Sequence, residues 1–256
     1  MKVGICISSL EMPVRRALRE AERMGVGGVQ LDAVGELAPK NLSQTGRREL
    51  RHVLESHNLA VTAVGCPLRH GLAHPENYEA RIEHVKRVLE LSYDLKARIV
   101  VAEAGRVPEP DQPDPLHEPL QIVGQYGDRI GAVLAWETGI DSGEKVADYL
   151  RRFRSAGLAV NFSPGNLLLH GHDPAKSARA LGDLIVHVHA KDARLAAAGR
   201  TAQEVPLGHG DVDWMHVLSV LAEIEYRGWL TIVRPSGEDQ PADLTDSIAF
   251  LRRLIP

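Results

Sequence analysis

Three runs of apolar residues end in side chains that can transfer protons or bind metal ions. Glu103 and Glu137 each follow such a run, and His189 closes a third, with Lys191 two positions later. Carboxylate and imidazole groups act as general acids and bases and are good ligands for Zn, Mn or Co. A lysine binds anionic or hydroxylated groups. These residue types predict Glu137 and His189 as metal ligands, with Glu137, Glu103 and Lys191 as catalytic candidates.

Each catalytic candidate also has a structural alternative. Glu137 could be an ion-paired carboxylate at the rim of the fold, and Glu103 could form a salt bridge with Arg106. Lys191 could pair with Asp192 or with Glu103. These alternatives stay open on the sequence alone, because ion pairs depend on residues that the sequence does not place.

The stretch Leu184–Asp192 indicates how the ionisable groups are presented. Alternate side chains of a strand lie on opposite faces, so His187, His189 and Lys191 share one face and apolar residues share the other. Such a strand is typical of the inward-facing wall of a (β/α)8 barrel near its catalytic end. His187 then lies one layer deeper than His189, as a substrate-binding residue or as a hydrogen-bonded core histidine.

The spacing of strand ends supports a common pocket. Glu137, Ser163 and His189 are separated by 163 − 137 = 26 and 189 − 163 = 26 residues, close to the length of one strand–helix unit. Because the carboxyl ends of successive barrel strands converge, we expect these positions to face one cavity.

The elements that would position these residues alternate along the whole chain, at 256/8 = 32 residues for each of eight units. Strands are predicted at residues 3–8, 29–33, 60–65, 98–102, 132–136, 158–162, 184–189 and 229–233. Helices are predicted at residues 13–24, 46–57, 76–95, 120–126, 143–155, 174–181, 212–225 and 244–254, with long loops at 106–119 and 192–210. The α/β pattern therefore predicts a single-domain (β/α)8 TIM barrel over residues 1–256.

Composition limits the classes of partner. A net charge of −4 gives no electrostatic reason to expect nucleic acid or a membrane surface as partner. The turn Ser8–Glu11 after the first strand lacks the glycines of a dinucleotide-binding fold, so we expect no nucleotide cofactor. Two cysteines and the absence of a long apolar segment favour a reducing, cytoplasmic location. The sequence leaves homo-oligomer formation open.

Several motifs, in order, resemble the xylose isomerase-like TIM barrel family of sugar and sugar phosphate isomerases and epimerases. The strand ending in Glu137 and the His-x-His-x-Lys-Asp strand are the most distinctive. The full set of matching stretches is Ala135–Gly139, Val160–Leu167, His187–Asp192, Pro206–Asp213 and Tyr226–Ile232. The resemblance covers the whole chain and implies a TIM barrel that acts on a small carbohydrate.

The resemblance also implies a divalent metal held by Glu, Asp, His and Glu from the last four strands. Glu137 and His189 match this pattern, whereas Ser163 and Val233 replace the aspartate and the final glutamate. A Zn, Mn or Co ion would therefore be bound weakly, since two anionic ligands are missing. The family's proton exchange between two glutamates is also lost, because Val233 cannot transfer a proton.

Three further residues are candidates for substrate binding. Asp32 follows the second strand, His187 lies below His189, and His209 replaces a family glutamate in a Gly-x-Gly loop. Histidine as a residue type titrates near neutral pH, although loop histidines are more often simply solvated.

The sequence favours a sugar isomerase or epimerase acting on a small carbohydrate or sugar phosphate, with an atypical divalent-metal site. One alternative is a catalytically inactive member that binds a carbohydrate-like ligand. Another is a metal-free isomerase or lyase that uses Lys191, His189 and Glu103. Metal-dependent DNA cleavage is disfavoured, since neither a multi-zinc ligand set nor a basic face is evident.

Overall fold

A computed structural model describes residues 1–196, 201–235, 237 and 239–255. The strands are β1 (Lys2–Cys6), β2 (Gly28–Asp32), β3 (Ala60–Gly65), β4 (Ile99–Ala102), β5 (Val133–Glu137), β6 (Leu158–Phe162), β7 (Ile185–Ala190), β8 (Asp192–Arg194), β9 (Gln203–Val205) and β10 (Trp229–Ile232). The α-helices are α1 (Val14–Arg23), α2 (Gln44–Ser56), α3 (Tyr78–Asp94), α4 (His117–Ile130), α5 (Gly143–Leu150), α6 (Pro164–Leu169), α7 (Pro174–Leu181), α8 (Trp214–Glu223) and α9 (Gln240–Leu254).

Eight of the strands form a closed parallel barrel in the order β1-β10-β7-β6-β5-β4-β3-β2. The barrel closes between its first and last strands, where Lys2 pairs with Trp229 and Ile5 pairs with Ile232. Strands β8 and β9 pair with each other in antiparallel fashion and form a separate hairpin after β7. The predicted (β/α)8 TIM barrel is confirmed.

The core has an outer layer and a narrow interior. Aliphatic residues on the outer face of the strands pack against the helices in one large cluster, with Val29, Val100 and Val188 fully buried. Small residues fill the barrel interior, where Ala63 and Ala135 are fully buried and Val101 nearly so. Tight packing on both faces fixes the strands, and therefore the side chains at their ends.

The predicted strands agree with the observed ones to within two residues, whereas the helix ends agree less well. The helix predicted at 120–126 spans His117–Ile130, because Pro119 is tolerated in a first turn, where its missing N–H is not needed. The helix predicted to continue to residue 155 ends at Leu150.

Two elements were not predicted. Helix α6 has six residues, too few to show an amphipathic period, although Pro164 at its first turn is a typical start signal. The hairpin β8–β9 lies within the segment predicted as a loop at 192–210, of which residues 197–200 fall outside the described part.

Over the described ranges, no helix combines the length and apolar character that crossing a membrane requires.

Candidate active site

Two neighbouring cavities at the carboxyl ends of the strands share lining residues, and we refer to them as the outer and the inner chamber. The outer chamber has a volume of about 560 Å³, and the residues lining it include Glu103, Glu137, Asn166, His189, Lys191 and Val233. The inner chamber has a volume of about 230 Å³ and is lined by Gln30 and Asp32 of β2, among others. Both chambers share Arg69, Glu103, Glu137 and His189.

Glu137 and His189 form a pair at the centre of the cavity. His189 Nδ1 lies 3.1 Å from Glu137 Oε1, and Asn166 Nδ2 donates to the same oxygen at 3.0 Å. Both partners are largely buried, with side-chain exposures of 15% for Glu137 and 5% for His189. Strand β5 thus supplies a carboxylate, β7 an imidazole and the start of α6 an amide, and the three groups hold one another in place.

A second contact orients the His189 ring from the inner chamber. His189 Nε2 lies 2.8 Å from Gln30 Oε1, and Gln30 Nε2 donates to Asp32 Oδ1 at 3.3 Å. Because the Asp32 carboxylate accepts from the amide nitrogen, the amide oxygen is turned toward His189. Both ring nitrogens of His189 therefore face side-chain oxygens, which fix the orientation of the ring.

Several influences act on the carboxyl group of Glu137. Burial by itself would raise its pKa, but the charge of His189, its hydrogen bond, Lys191 and Asn166 together lower the pKa below the ordinary value. Glu137 is therefore held as a carboxylate next to the His189 ring.

Glu103 has a different environment, although it faces the same two chambers. Burial, followed by the negative charge of Glu137, raises its pKa, and Lys191 opposes this shift. No ion pair of Glu103 occurs among the residues that the structure describes, so the predicted alternative of a salt bridge with Arg106 is not present. The environments of the two glutamates push their pKa values in opposite directions, which is typical of two carboxyl groups with different roles in one site.

Lys191 lines the outer chamber and pairs with neither Asp192 nor Glu103, in contrast to the sequence-based alternatives. Its Nζ lies 3.0 Å from Oε2 of Glu204, which comes from strand β9, and the two side chains are 13% and 14% exposed. Glu204 Oε1 lies 3.6 Å from Arg234 Nη1, so the carboxylate of Glu204 is shared between two cations.

Asp192 holds the hairpin that carries Glu204. Its carboxylate accepts backbone N–H groups from Ala193 and Gly208 at 2.9 Å and from Gly210 and Val212 at 3.2 Å. Gly210 allows this approach, since a Cβ there would lie 2.1 Å from Asp192 Oδ1. A single buried carboxylate therefore fixes both ends of the segment that folds back toward Lys191.

His187 lies below the cavity and does not line it. It is fully buried, with Nδ1 2.9 Å from the Asn161 side-chain amide and Nε2 2.8 Å from Thr231 Oγ1. Burial and the nearby His189 hold its pKa well below the usual range. The structure therefore gives His187 the position of a neutral core histidine rather than that of a substrate-binding residue.

The other two predicted substrate-binding residues lie in different places. Asp32 lines the inner chamber, as expected. His209 is exposed, does not line either chamber, and contributes its backbone oxygen to Arg194. The Gly-x-Gly loop that contains it is held against Asp192 and does not bring the imidazole over the cavity.

Sequence reasoning missed several residues of the site. Asn166 and Glu204 make two of its central contacts, and Arg69 and His170 line the outer chamber. Asn166 lies in a family motif and therefore carried a local signal. Glu204 carried none, because a hairpin places it.

The donors around Glu137 and His189 do not fit the four-ligand metal site that the resemblance implies. Val233 presents an apolar side chain to the outer chamber, and the Ser163 hydroxyl is buried without a hydrogen-bond partner. No group of three or more His, Cys, Asp or Glu side chains in the described part of the chain could hold a metal ion. One carboxylate and one imidazole would hold a divalent ion only weakly.

Comparison with known families and proteins agrees with this architecture. A family model described as "Xylose isomerase-like TIM barrel" matches residues 18–254. Inosose dehydratase of Clostridium tetani is 30% identical over 119 residues, which cover 41% of this chain and 39% of that protein.

Solved structures extend the comparison over nearly the whole chain. A xylose isomerase domain protein from Planctomyces limnophilus has a TM-score of 0.85 at 26% identity, covering 93% of this chain and 91% of its own. D-psicose 3-epimerase from Clostridium cellulolyticum H10, solved with D-tagatose, has a TM-score of 0.80 at 15% identity and covers 99% of both chains. This last similarity concerns the fold alone.

Proposed function

Because the chain belongs to the xylose isomerase-like TIM barrel family, we propose that it is an enzyme of the isomerase or epimerase type. Its substrate is a small carbohydrate, sugar phosphate or cyclic polyol ketone, and the reaction moves a proton at the carbon beside the carbonyl group. The family has epimerase and dehydratase relatives. Epimerisation, aldose–ketose isomerisation and dehydration of a hydroxyketone can all begin with removal of that proton.

One observation carries the proposal: Glu103 and Lys191 face the same chamber, with no ion pair of Glu103 among the described residues. The pKa of Glu103 is raised toward the pH at which the protein operates. A general base is most effective when its pKa lies near that pH. Lys191 supplies a positive charge for an oxygen that becomes negative during the reaction.

The proton transfer needs only these two residues. The Glu103 carboxylate removes the proton from the α-carbon, and the electron pair of that C–H bond moves into an enediolate whose oxygen faces Lys191 Nζ. Glu103, now protonated, returns the proton to the neighbouring carbon, and the hydroxyl proton passes from one enediolate oxygen to the other beside Lys191 Nζ, which completes an aldose–ketose isomerisation. Because Val233 cannot act as a second base, the proton leaves and returns on the same face of the substrate, which favours aldose–ketose isomerisation over epimerisation.

The Glu137–His189 pair has an orienting role in this scheme. Both recorded hydrogen bonds of Glu137 reach Oε1, so Oε2 can accept a hydrogen bond from a substrate hydroxyl. The depressed pKa of Glu137 keeps this oxygen an acceptor. Asp32 and Gln30 extend the polar wall into the inner chamber, which suits a ligand with several hydroxyl groups.

The divalent metal considered from the sequence is not part of this scheme. Its donor set does not fit, so the positive charge that the reaction needs comes from Lys191. Weak binding of Zn, Mn or Co by Glu137 and His189 remains a separate matter for metal analysis.

Dehydration is a second candidate, favoured by the raised pKa of Glu103 and by the similarity to inosose dehydratase. After Glu103 has taken the α-proton, it is a carboxylic acid. It can give that proton to a hydroxyl group on the β-carbon, which leaves as water while the enediolate electrons form the new double bond. The isomerase and lyase reactions differ in the atom that receives the proton from Glu103, which is the neighbouring carbon in the first and the β-hydroxyl oxygen in the second.

Proton exchange with solvent tests the proposal. The protein is incubated in D2O with a panel of aldoses, ketoses, their phosphates and inososes, and loss of the α-proton signal is followed by NMR. We expect at least one substrate to exchange or react. Glu103→Gln should slow the exchange or turnover of that substrate by about 10²–10⁴-fold. The surface variant Glu49→Gln, at an exposed position, should leave the rate unchanged.

Two outcomes would contradict the proposal. An unchanged rate in Glu103→Gln would exclude Glu103 as the base. Binding of a carbohydrate without any exchange or turnover would instead favour the inactive, ligand-binding member considered from the sequence.

A further inference from the structure

Arg69 stands at the junction of the two chambers and lines both of them. It follows β3, on the loop opposite β7, and its side chain is exposed to the cavity entrance. No hydrogen bond or ion pair of Arg69 occurs among the residues that the structure describes. A guanidinium group that faces a cavity without a protein partner has all five of its N–H donors free for a ligand.

Lys191, the other cation of the outer chamber, is paired with Glu204, and Glu137 is hydrogen-bonded to His189. Glu103 lines the same chamber and has no ion pair among the described residues. Arg69 is therefore the one arginine or lysine among the described lining residues that has no partner in the protein.

His70 follows Arg69 in the chain and also lines the outer chamber, with its ring 4.7 Å from that of His74. An imidazole N–H group can donate a hydrogen bond to an anion held at Arg69.

We propose that the substrate carries an anionic group, a carboxylate or a phosphate, which binds at Arg69 beside His70. The polyhydroxylated part then extends between Glu103, Lys191 and the inner chamber. A guanidinium group binds both kinds of anion in bidentate fashion. This inference rests on the proposed function, because it places the ligand in the same cavity, and it narrows the substrate class to acidic or phosphorylated polyols.

The test compares ligands that differ only in charge. Binding of D-glucose, D-glucuronate and D-glucose 6-phosphate is measured by calorimetry, with inorganic phosphate as a fourth probe. We expect each charged sugar to bind about tenfold or more tightly than D-glucose, and added salt to weaken only the charged ligands. Comparison of glucuronate with the phosphorylated probes shows which anion the site prefers.

Arg69→Gln should remove this preference, raising the dissociation constants of the charged sugars about tenfold and leaving D-glucose nearly unchanged. Arg19→Gln is the matched control, because Arg19 is exposed on α1 and lines neither chamber. Circular dichroism confirms that each variant is folded.

The inference is overturned if no charged probe binds better than D-glucose, including the case where none binds at all, or if Arg69→Gln keeps the preference. Its failure is distinct from that of the proposed function. If proton exchange depends on Glu103 but charged and neutral sugars bind equally well, only the anion site is excluded. If charged sugars bind more tightly but no proton exchange occurs, only the proposed reaction is excluded.

Discussion

Glu103 is the residue whose chemistry depends most on its neighbours. Burial and the charge of Glu137 raise its pKa, whereas Lys191 lowers it. A carboxyl group with charged neighbours of both signs can be tuned in either direction, which makes its role testable without identifying the natural substrate.

The pH dependence of proton exchange should follow the ionisation of Glu103. As a base it acts in its ionised form, so the rate rises as the pH passes through its pKa. Lys191→Met removes a cation that favours the ionised form, and should move the acid limb of the pH–rate profile to higher pH. Glu137→Gln removes an anion that disfavours the ionised form of Glu103, and should move the acid limb of the pH–rate profile to lower pH. Shifts of the same sign, or none, would show that another group is titrating.

Metal binding depends on two positions that lack donor carboxylates. We expect the wild-type protein, purified without chelator, to contain no stoichiometric Zn, Mn or Co by elemental analysis. The double substitution Ser163→Asp with Val233→Glu should bind one of these ions, since charge and ligand count rise together.

The neutral pair Ser163→Asn with Val233→Gln is the matched control and should not bind metal. A stoichiometric ion in the wild type would show that the existing donors suffice. Failure of the double carboxylate variant to bind would show that the cavity has been rebuilt around the Glu137–His189 pair.

Among the elements, the hairpin β8–β9 has the clearest functional consequence. It brings Glu204 to Lys191 and Arg234, so it sets the charge next to the outer chamber. Its position depends on four backbone N–H groups that converge on Asp192.

Asp192→Asn should loosen this hairpin while leaving the barrel folded. The amide has one acceptor oxygen in place of two and turns a donor toward backbone donors, which costs about 1–3 kcal/mol for buried groups left unsatisfied. Hydrogen exchange of the Gly208, Gly210 and Val212 amides should therefore become roughly ten- to a hundredfold faster.

Asp173→Asn provides the control for this change. Asp173 caps α7 by accepting from the Lys176 amide, so its effect on hydrogen exchange should be confined to that helix end. If Asp192→Asn left the three hairpin amides as protected as in the wild type, Asp192 would not be the anchor.

Over the whole molecule, stability depends on closing the barrel where β1 meets β2 and β10. Close packing at this seam requires glycine at position 28. A Cβ there would lie 2.7 Å from Thr62 Cγ2 and 2.8 Å from the Trp229 ring, closer than van der Waals contact allows.

Gly28→Ala should lower the free energy of unfolding by about 1–3 kcal/mol through this overpacking, measured by urea denaturation. Gly46→Ala is the control: Gly46 lies in α2, and a Cβ there would have no neighbour closer than 3.4 Å. That substitution should be neutral or stabilising by roughly 0.5–1 kcal/mol. Equal effects of the two changes would show that the seam is not tightly packed.

The sequence by itself determined the fold and part of the site. Alternation of apolar strands and helices at a constant spacing predicts the barrel, because each element carries its own periodic pattern. Residues at strand ends, such as Glu103, Glu137 and His189, could be assigned to one cavity because strand direction alone fixes which end they occupy.

Only the tertiary structure decided which of these residues share a contact. Glu204 reaches Lys191 through a hairpin anchored at Asp192, and Gln30 reaches His189 across the barrel from 159 positions away in the chain. His187 and His209 had the right type and spacing, yet one lies below the cavity and the other beside it. Hydrogen bonds and ion pairs between distant segments depend on packing in three dimensions, and no local pattern in the sequence records them.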